Sequence, residues 1–331
     1  MKEVLNHLLS HKSLSRETAR QVLIDISQGK VNVSQMACFM TVYMMRTITV
    51  EELEGFRDAM LDLCIDVDLS EYEPIDLCGT GGDGKDTFNI STTASFVVAG
   101  AGVKVAKHGN YGVSSNCGSS NVLEYLGYRF TSDKSILKKQ IEKAGICVMH
   151  APLFHPAMKN VAPVRRDLGV RTFFNMLGPM INPAFPNNQM IGVFSLELAR
   201  LYNYLYQKSG KHFVILHSLD VYDEISLTGL FKIIGNNYEK LLSPEDLGFK
   251  TCKPQELKGG EDVAGSGKIL MNVLENKATE VQNNAVIANA AMAIHCARPK
   301  LSIADSIEAA KESLKSGKAL QSFKLLIENN A

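Results

Sequence analysis

PIDLCGTGGDGKDTFNISTTASFVVAGAGVKVAKHGN, from Pro74 to Asn110, is the stretch that decides the fold. Ile75-Asp76-Leu77-Cys78 is a short apolar run that reads as a strand, and it ends in the glycine loop Gly79-Thr80-Gly81-Gly82-Asp83. Residues 90–100 follow with Ser91, Thr92 and Thr93 at their head and Phe96, Val97 and Val98 within, which predicts a helix capped by a hydroxyl. Residues 103–106 read as a second strand, which delivers the loop Lys107-His108-Gly109-Asn110. Strand, loop, helix, strand, loop is the rhythm of a parallel sheet in an α/β domain. In open sheets of that kind, ligands bind beyond the carboxyl ends of the strands, where both loops are expected.

Both loops have the chemistry of an anion cradle. Glycine and serine let backbone N–H groups approach a ligand closely. Lys107, His108 and Asn110 add a cation, an imidazole and an amide, and Ser114, Ser115 and Ser119 continue the run of small hydroxyls. Two such loops in one compact region point to a ligand with more than one phosphate. The first loop nearly fits the P-loop pattern GxxxxGK[ST], but Asp86 stands where a hydroxyl would hold magnesium, so a P-loop NTPase is disfavoured. The free N–H groups expected at the start of the 90–100 helix favour anion binding over a bare turn.

Two further constellations carry chemistry. Asp223-Glu224 precedes an apolar run, 225–228, that reads as a strand. Adjacent carboxylates are commonly a solvated face, but beside a diphosphate they become magnesium ligands, because Mg²⁺ takes a few carboxylates plus phosphate oxygens and water. Arg165-Arg166 follows His155 and Pro163; a guanidinium fork matches a carboxylate, and the bland alternative is a basic helix face in salt bridges.

The bulk numbers bound the rest. A chain of 331 residues, 45% hydrophobic, is long for one core and predicts a large and a small domain. Lys plus Arg equals Asp plus Glu at 35 each, which argues against a general nucleic-acid binder. The seven cysteines form no CxxC pair, so neither a zinc site nor a disulfide framework is indicated. The N-terminal residues run into an amphipathic pattern rather than a signal peptide, and no apolar run is long enough to span a bilayer, so a cytoplasmic protein away from membranes is expected. Helices are expected over 15–27, 33–45, 50–63, 135–143, 196–209, 261–274, 279–297 and 300–326 with a break near Gly317; further strands over 145–149, 190–194 and 213–217.

Taken together, Asp76 to Asp83, Asn89-Ile90-Ser91-Thr92, Lys107 to Asn110, Ser114-Ser115, Val122 to Gly127, His155 to Met158, Ala162 to Arg166, Phe174 to Pro179 and Asp223 to Thr228 strongly resemble anthranilate phosphoribosyltransferases of tryptophan biosynthesis. The set runs in the family's order over the whole chain. The resemblance implies an α/β protein: a small all-helical domain, 1–68, joined by part of 167–190, and a larger domain, 72–331, with a central, mostly parallel sheet flanked by helices. It implies an active site in the cleft between the domains and a homodimer formed through the helical domains. It further implies transfer of the phosphoribosyl group of phosphoribosyl pyrophosphate to the amine of anthranilate. By the same resemblance, Gly79, Gly82, Asp83, Thr87, Asn89, Ile90, Ser91, Thr92, Lys107, His108, Gly109, Asn110, Ser114, Ser115 and Ser119 meet the sugar donor. Gly79, His108, Asn110, Pro152, His155 and Arg165 meet anthranilate, with Arg165 on its carboxylate. Ser91, Asp223 and Glu224 are the positions for two Mg²⁺ ions. Tyr111 and Asn160 depart from the family's pattern, where Arg and His are common, and Ser218 and Tyr222 stand where smaller residues are common in the loop before the carboxylate pair.

Two rival readings share the fold. A pyrimidine nucleoside phosphorylase would carry a different loop at Lys107–Asn110 and lack the Asp223-Glu224 pair. A non-enzymatic nucleic-acid-binding relative would lack Asn110 and Arg165 and show a basic groove.

Overall fold

The computed structural model describes residues 1–112 and 117–330. Ser114 and Ser115 lie outside the described residues. The chain divides into two compact units, Met1–Asp66 with Ala151–Pro183, and Val67–His150 with Ala184–Ala331. The segment that joins the N-terminal helices therefore begins at Ala151, directly after a strand ends at His150, earlier than the 167–190 stretch expected.

The first unit is built on helices Lys2–Leu9, Arg16–Ser27, Val33–Met45 and Val50–Asp62. Their starts are written locally: Ser15, Asn32 and Thr49 each accept an N–H of the first turn through the side chain. Phe39, Tyr43 and Phe56 meet on the inner face, and Phe173 of the second segment stacks on Phe56 at 4.5 Å between ring centroids. Such an aromatic seam supplies more than area, since edge-to-face and offset pairs add about 0.5–1.5 kcal/mol each.

One charged group lies inside this unit. Glu52 is fully buried, closes the capping box with Thr49, and accepts from the Leu14 N–H at 2.9 Å and the Tyr43 hydroxyl at 3.0 Å. Arg46 bonds both of its oxygens. Burial pushes the Glu52 carboxyl up, but Arg46 and the N–H groups of Leu14 and Thr49 outweigh it and hold the carboxyl below its ordinary value.

The second unit holds one seven-stranded sheet: β1 Ile75–Gly79, β2 Val105–Gly109, β3 Ile146–His150, β4 Asn188–Gly192, β5 His212–Ser218, β6 Phe231–Gly235 and β7 Tyr238–Leu242. The order is β3-β2-β1-β4-β5-β6-β7. The first five strands in that order pair parallel; β6 and β7 pair antiparallel. Helices Ile90–Gly100 and Glu280–Ala297 are buried over most of their length and pack on each other and on the sheet. A helix apolar all round is one surrounded by protein.

Two local expectations fail, and one hairpin lies outside the expected elements. The strand at 103–106 runs instead from Val105 to Gly109, so Lys107, His108 and Gly109 belong to β2 and not to the loop beyond it. Residues 225–228 form no strand, because Leu227 takes φ +60° and the peptide groups of Ile225 are bonded by a side chain. The β6–β7 hairpin, joined by Asn236-Asn237, was not anticipated; its outer strand is largely exposed and lacks a clean alternation.

His155 fixes the second segment of the helical unit. Its ring is buried against the backbone of Met60 and Ile181, and burial pulls its pKa from 6.5 down to about 4. Between those values the unfolded chain holds a proton that the folded one does not. The stability from neutral His155 is thus fully present above pH 6.5 and lost as pH falls toward 4. Replacing His155 with Gln should flatten the acid fall of urea-unfolding free energy over that window by on the order of 3 kcal/mol, and an unchanged slope would contradict the assignment. Glu52→Ala, which strands Arg46, should cost about 3 kcal/mol in the same unfolding assay at pH 7, and a cost under about 1 kcal/mol would show that the pair is not a structural centre.

Candidate active site

The parallel strands reverse their order between β1 and β4, which makes a crevice at the carboxyl ends of these two strands. Both ends are glycine, Gly79 opposite Gly192 in register. Asp223 explains why. A Cβ on Gly79 would collide with the Asp223 carboxylate, and one on Gly192 with the Asp223 carbonyl. The acidic segment lies in the crevice where two side chains would otherwise stand.

From there the acidic pair reaches the first expected cradle, the glycine loop, and the head of the Ile90–Gly100 helix. Asp223 Oδ2 accepts the Gly81 N–H at 2.6 Å, and Glu224 Oε1 accepts the Ser91 N–H at 2.9 Å. Gly81, Gly82 and Gly84 have φ between +65° and +79°, a backbone that only glycine takes without strain. The helix Ile90–Gly100 has no side-chain cap; the hydroxyl cap expected at its head is absent, and the Glu224 carboxylate takes a first-turn N–H in its place. Thr93 and Ser95 turn their hydroxyls back onto helix carbonyls.

The electrostatics follow from this crowding. Asp223 and Glu224 are 8% and 9% exposed. Burial, then repulsion from Glu224 and Asp83, pushes the Asp223 carboxyl well up. Burial pushes Glu224 up to about 7, although the Ser91 N–H and hydroxyl and the Lys107 charge pull it down. Two buried carboxylates that repel each other call for a cation. Among the described residues no three His, Cys, Asp or Glu side chains are grouped to hold a metal alone. Oxygen ligands in so small a number suit Mg²⁺, which completes its shell with phosphate oxygens and water.

The other residues expected at the donor site have the following surroundings. Asp83 faces the pair, and its Oδ1 accepts the Lys85 N–H at 3.1 Å. Lys85 stands over the Tyr222 ring at 4.7 Å, which ties the glycine loop to the acidic segment. Thr87 bridges to Lys258, and Asn89 donates to the Cys117 carbonyl at 3.0 Å. Ile90 and Thr92 are buried, and the Ile90 N–H bonds Phe88 O at 2.6 Å, so Ile90 shapes the turn rather than presenting a free donor. Lys107 points inward and donates to the Leu77 carbonyl at 3.0 Å, while the His108 N–H meets the buried Asp76 carboxylate at 3.2 Å. Gly109 lies against Ser119, whose hydroxyl donates to Asn110 O at 3.3 Å, and the Asn110 side chain accepts the Tyr111 N–H.

The helical unit carries the remaining candidates. Pro152 is exposed and His155 buried. Arg165 is half-buried, lies 5.4 Å over the Phe174 ring, and donates to Asn175 Oδ1 at 3.3 Å. Burial alone lowers its pKa, and among the described residues no carboxylate pairs with it. A guanidinium so placed is available to an anion. The departure Asn160 has a local duty, donating to Ser27 O at 2.8 Å. Tyr111 sets its ring edge against His150 and its hydroxyl toward Glu124. Sequence reasoning missed Gly192 and Asn289; only a polar Asn within the apolar run Ala288–Ala293 could have signalled the second.

Comparison with known proteins supplies the family. Residues 71–320 match the α/β domain of a glycosyl transferase family, and residues 2–64 match its helical bundle domain. An anthranilate phosphoribosyltransferase of Christiangramia forsetii is 64% identical over 98% of both chains. One of Bacteroides thetaiotaomicron is 53% identical over 100% of this chain and 99% of its own. The crystal structure of the Thermus thermophilus enzyme of that name superposes with a TM-score of 0.91, at 31% identity over 98% of both chains. The Saccharomyces cerevisiae enzyme, solved with phosphoribosyl pyrophosphate and magnesium, gives 0.91 at 27% identity over 98% of this chain and 96% of its own. With full-length matches at this identity, on the fold and acidic crevice described above, the chain belongs to the anthranilate phosphoribosyltransferase family.

Proposed function

We propose that this chain transfers the 5-phosphoribosyl group of phosphoribosyl pyrophosphate to the amine of anthranilate, giving N-(5-phosphoribosyl)anthranilate and pyrophosphate, the second step from chorismate to tryptophan. The observation that carries the reading is the acidic pair in the β1–β4 crevice, bonded at once to the glycine loop and to the start of the Ile90–Gly100 helix. Family membership and the relatives' names support it. The nucleoside phosphorylase and nucleic-acid-binding readings gain no support from those relatives.

In the reaction the bond from the ribose C1 to the pyrophosphate oxygen breaks, its electron pair leaves with pyrophosphate, and the anthranilate nitrogen bonds C1 and loses a proton. An aromatic amine is already neutral at pH 7, so no strong base is required and positioning does most of the work. Ser91, Asp223 and Glu224 are the residues that would hold Mg²⁺, two ions by family likeness; bound there, the metal offsets the charge gathering on pyrophosphate. The glycine loop Gly79–Asp83 and the head of the Ile90–Gly100 helix orient the donor's phosphates, with Ile90 shaping the turn rather than donating. Lys107, from inside β2, adds positive charge beside the carboxylates. Gly109, Asn110 and Ser119 shape the second edge of the donor site. Arg165 takes the anthranilate carboxylate, with His108, Asn110, Pro152, His155 and Gly79 as the other acceptor residues.

We also read the protein as a cytoplasmic homodimer joined through the helical unit. Leu9, Val33 and Met45 leave that unit with apolar side chains 60–83% exposed, which supports their burial against a second copy. Among the described residues no helix is long and apolar enough to cross a membrane.

The deciding assay follows loss of anthranilate fluorescence with donor and Mg²⁺, with and without EDTA. Magnesium-dependent loss is expected; no loss from folded protein with intact donor would overturn the reading. Arg165→Ala should raise the anthranilate KM by at least about tenfold, the scale of one lost charged contact, and leave the donor KM within about twofold. An equal rise in both constants would remove Arg165 from the acceptor site.

A further inference from the structure

The segment that carries the acidic pair is not a strand, yet its backbone is fully inside the protein. Buried peptide groups need partners; backbone N–H groups of Ser218 and Cys252 meet the carbonyls of Tyr222 and Leu227, and between them two side chains supply partners. Asn289, in the middle of the buried helix Glu280–Ala297, accepts the Ile225 N–H on Oδ1 at 3.0 Å and donates from Nδ2 to the Ile225 carbonyl at 2.9 Å. The amide thus imitates a neighbouring strand for one residue. It also bonds the Ala285 carbonyl at 2.9 Å, which fixes its own rotamer. On the other side, Ser218 at the end of β5 donates to the Glu224 carbonyl at 2.7 Å and accepts the Ser226 N–H at 3.3 Å.

Asparagine within a helix costs helix propensity, and a buried amide is costly unless fully bonded. Asn289 is 1% exposed, in a run otherwise of Ala, Val, Ile and Met. The loop it grips is itself strained: Val221 has φ +80° and Leu227 +60°, values that β-branched and branched side chains avoid. Such a backbone persists only where its surroundings over-determine it.

We propose that Asn289, seconded by Ser218, is a positioning residue of the metal–pyrophosphate site: it holds the Ile225 peptide groups so that the adjoining Asp223 and Glu224 carboxylates stay aimed at the glycine loop and the helix start. Asn289 touches no substrate in this account; it acts through the acidic pair. The inference rests on the magnesium role given above to Asp223 and Glu224.

Two measurements on full-length protein test it. The first is the Mg²⁺ concentration for half-maximal rate at saturating donor and anthranilate. The second, without turnover, is Mn²⁺ binding in the presence of pyrophosphate, read by electron paramagnetic resonance. Asn289→Ala should weaken both by about tenfold or more, the usual scale for loss of a group that orients a metal ligand, with the anthranilate KM within about twofold. Asn289→Asp keeps the acceptor for the Ile225 N–H and loses the donor, so it should fall between the two. If the alanine variant does not fold, Asn289→Asp and Ser218→Ala are read in the same way. Metal curves of a folded variant that superpose on the wild type would overturn the proposal. So would a rise in anthranilate KM that matches the metal effect, since that marks general damage. Wild-type protein without magnesium-dependent turnover would instead sink the functional reading, while the Mn²⁺ curves would still decide whether Asn289 positions the pair.

Discussion

The seat of Asp223 over Gly79 and Gly192 is the constraint on which the site depends. A parallel sheet that reverses its order opens a crevice by topology alone, but topology does not say what lies in it. Here two facing glycines leave room for a main-chain segment. That segment brings two carboxylates to within hydrogen-bond reach of N–H groups from two different elements. Fold and chemistry meet at this contact, because removing the space removes the carboxylates' position.

The price in solvation is visible in the same place. Neither carboxylate is comfortable where it stands: burial drives both upward, helped by the charges of Glu224 and Asp83 at Asp223 and by that of Asp83 at Glu224. Against this work the N–H groups of Gly81 and Ser91 and the charge of Lys107. The N–H groups that the carboxylates occupy are those suited to a phosphate, so the crevice is organised around negative charge whether it comes from the protein or from a ligand. A divalent cation held by these two carboxylates would offset their repulsion.

Much of this was legible in the sequence, and the failures are instructive. The glycine loop, the Ile90–Gly100 helix and the acidic pair are local patterns, and local patterns survive into the structure. Among the described residues eight helix starts are capped by the Ser, Asn, Asp or Thr side chain written there, Ser15, Asn32, Thr49, Asp133, Ser195, Asp262, Thr279 and Ser302. What the sequence hid is tertiary. Nothing near Lys107 says that the strand extends to include it, since Lys is a poor prospect for a buried position until the Leu77 carbonyl is there to receive it. The apolar run 225–228 has a strand's composition, and only the amide of Asn289, far along the chain, shows why it does not pair with a neighbour. The return of Ala151–Pro183 to the helical unit follows from the aromatic face that Phe173 completes, a contact no periodicity could announce.

The register between Gly79 and Gly192 has a consequence for how such a sequence can vary. Three positions on three separate elements share one volume: two lack side chains so that the third can bring its backbone between them. A substitution that adds a methyl group at either glycine is tolerable only with a compensating retreat of the 223 segment, which would carry the carboxylates out of reach. Substitutions at the three positions are therefore coupled, and their costs do not add as those of distant sites do.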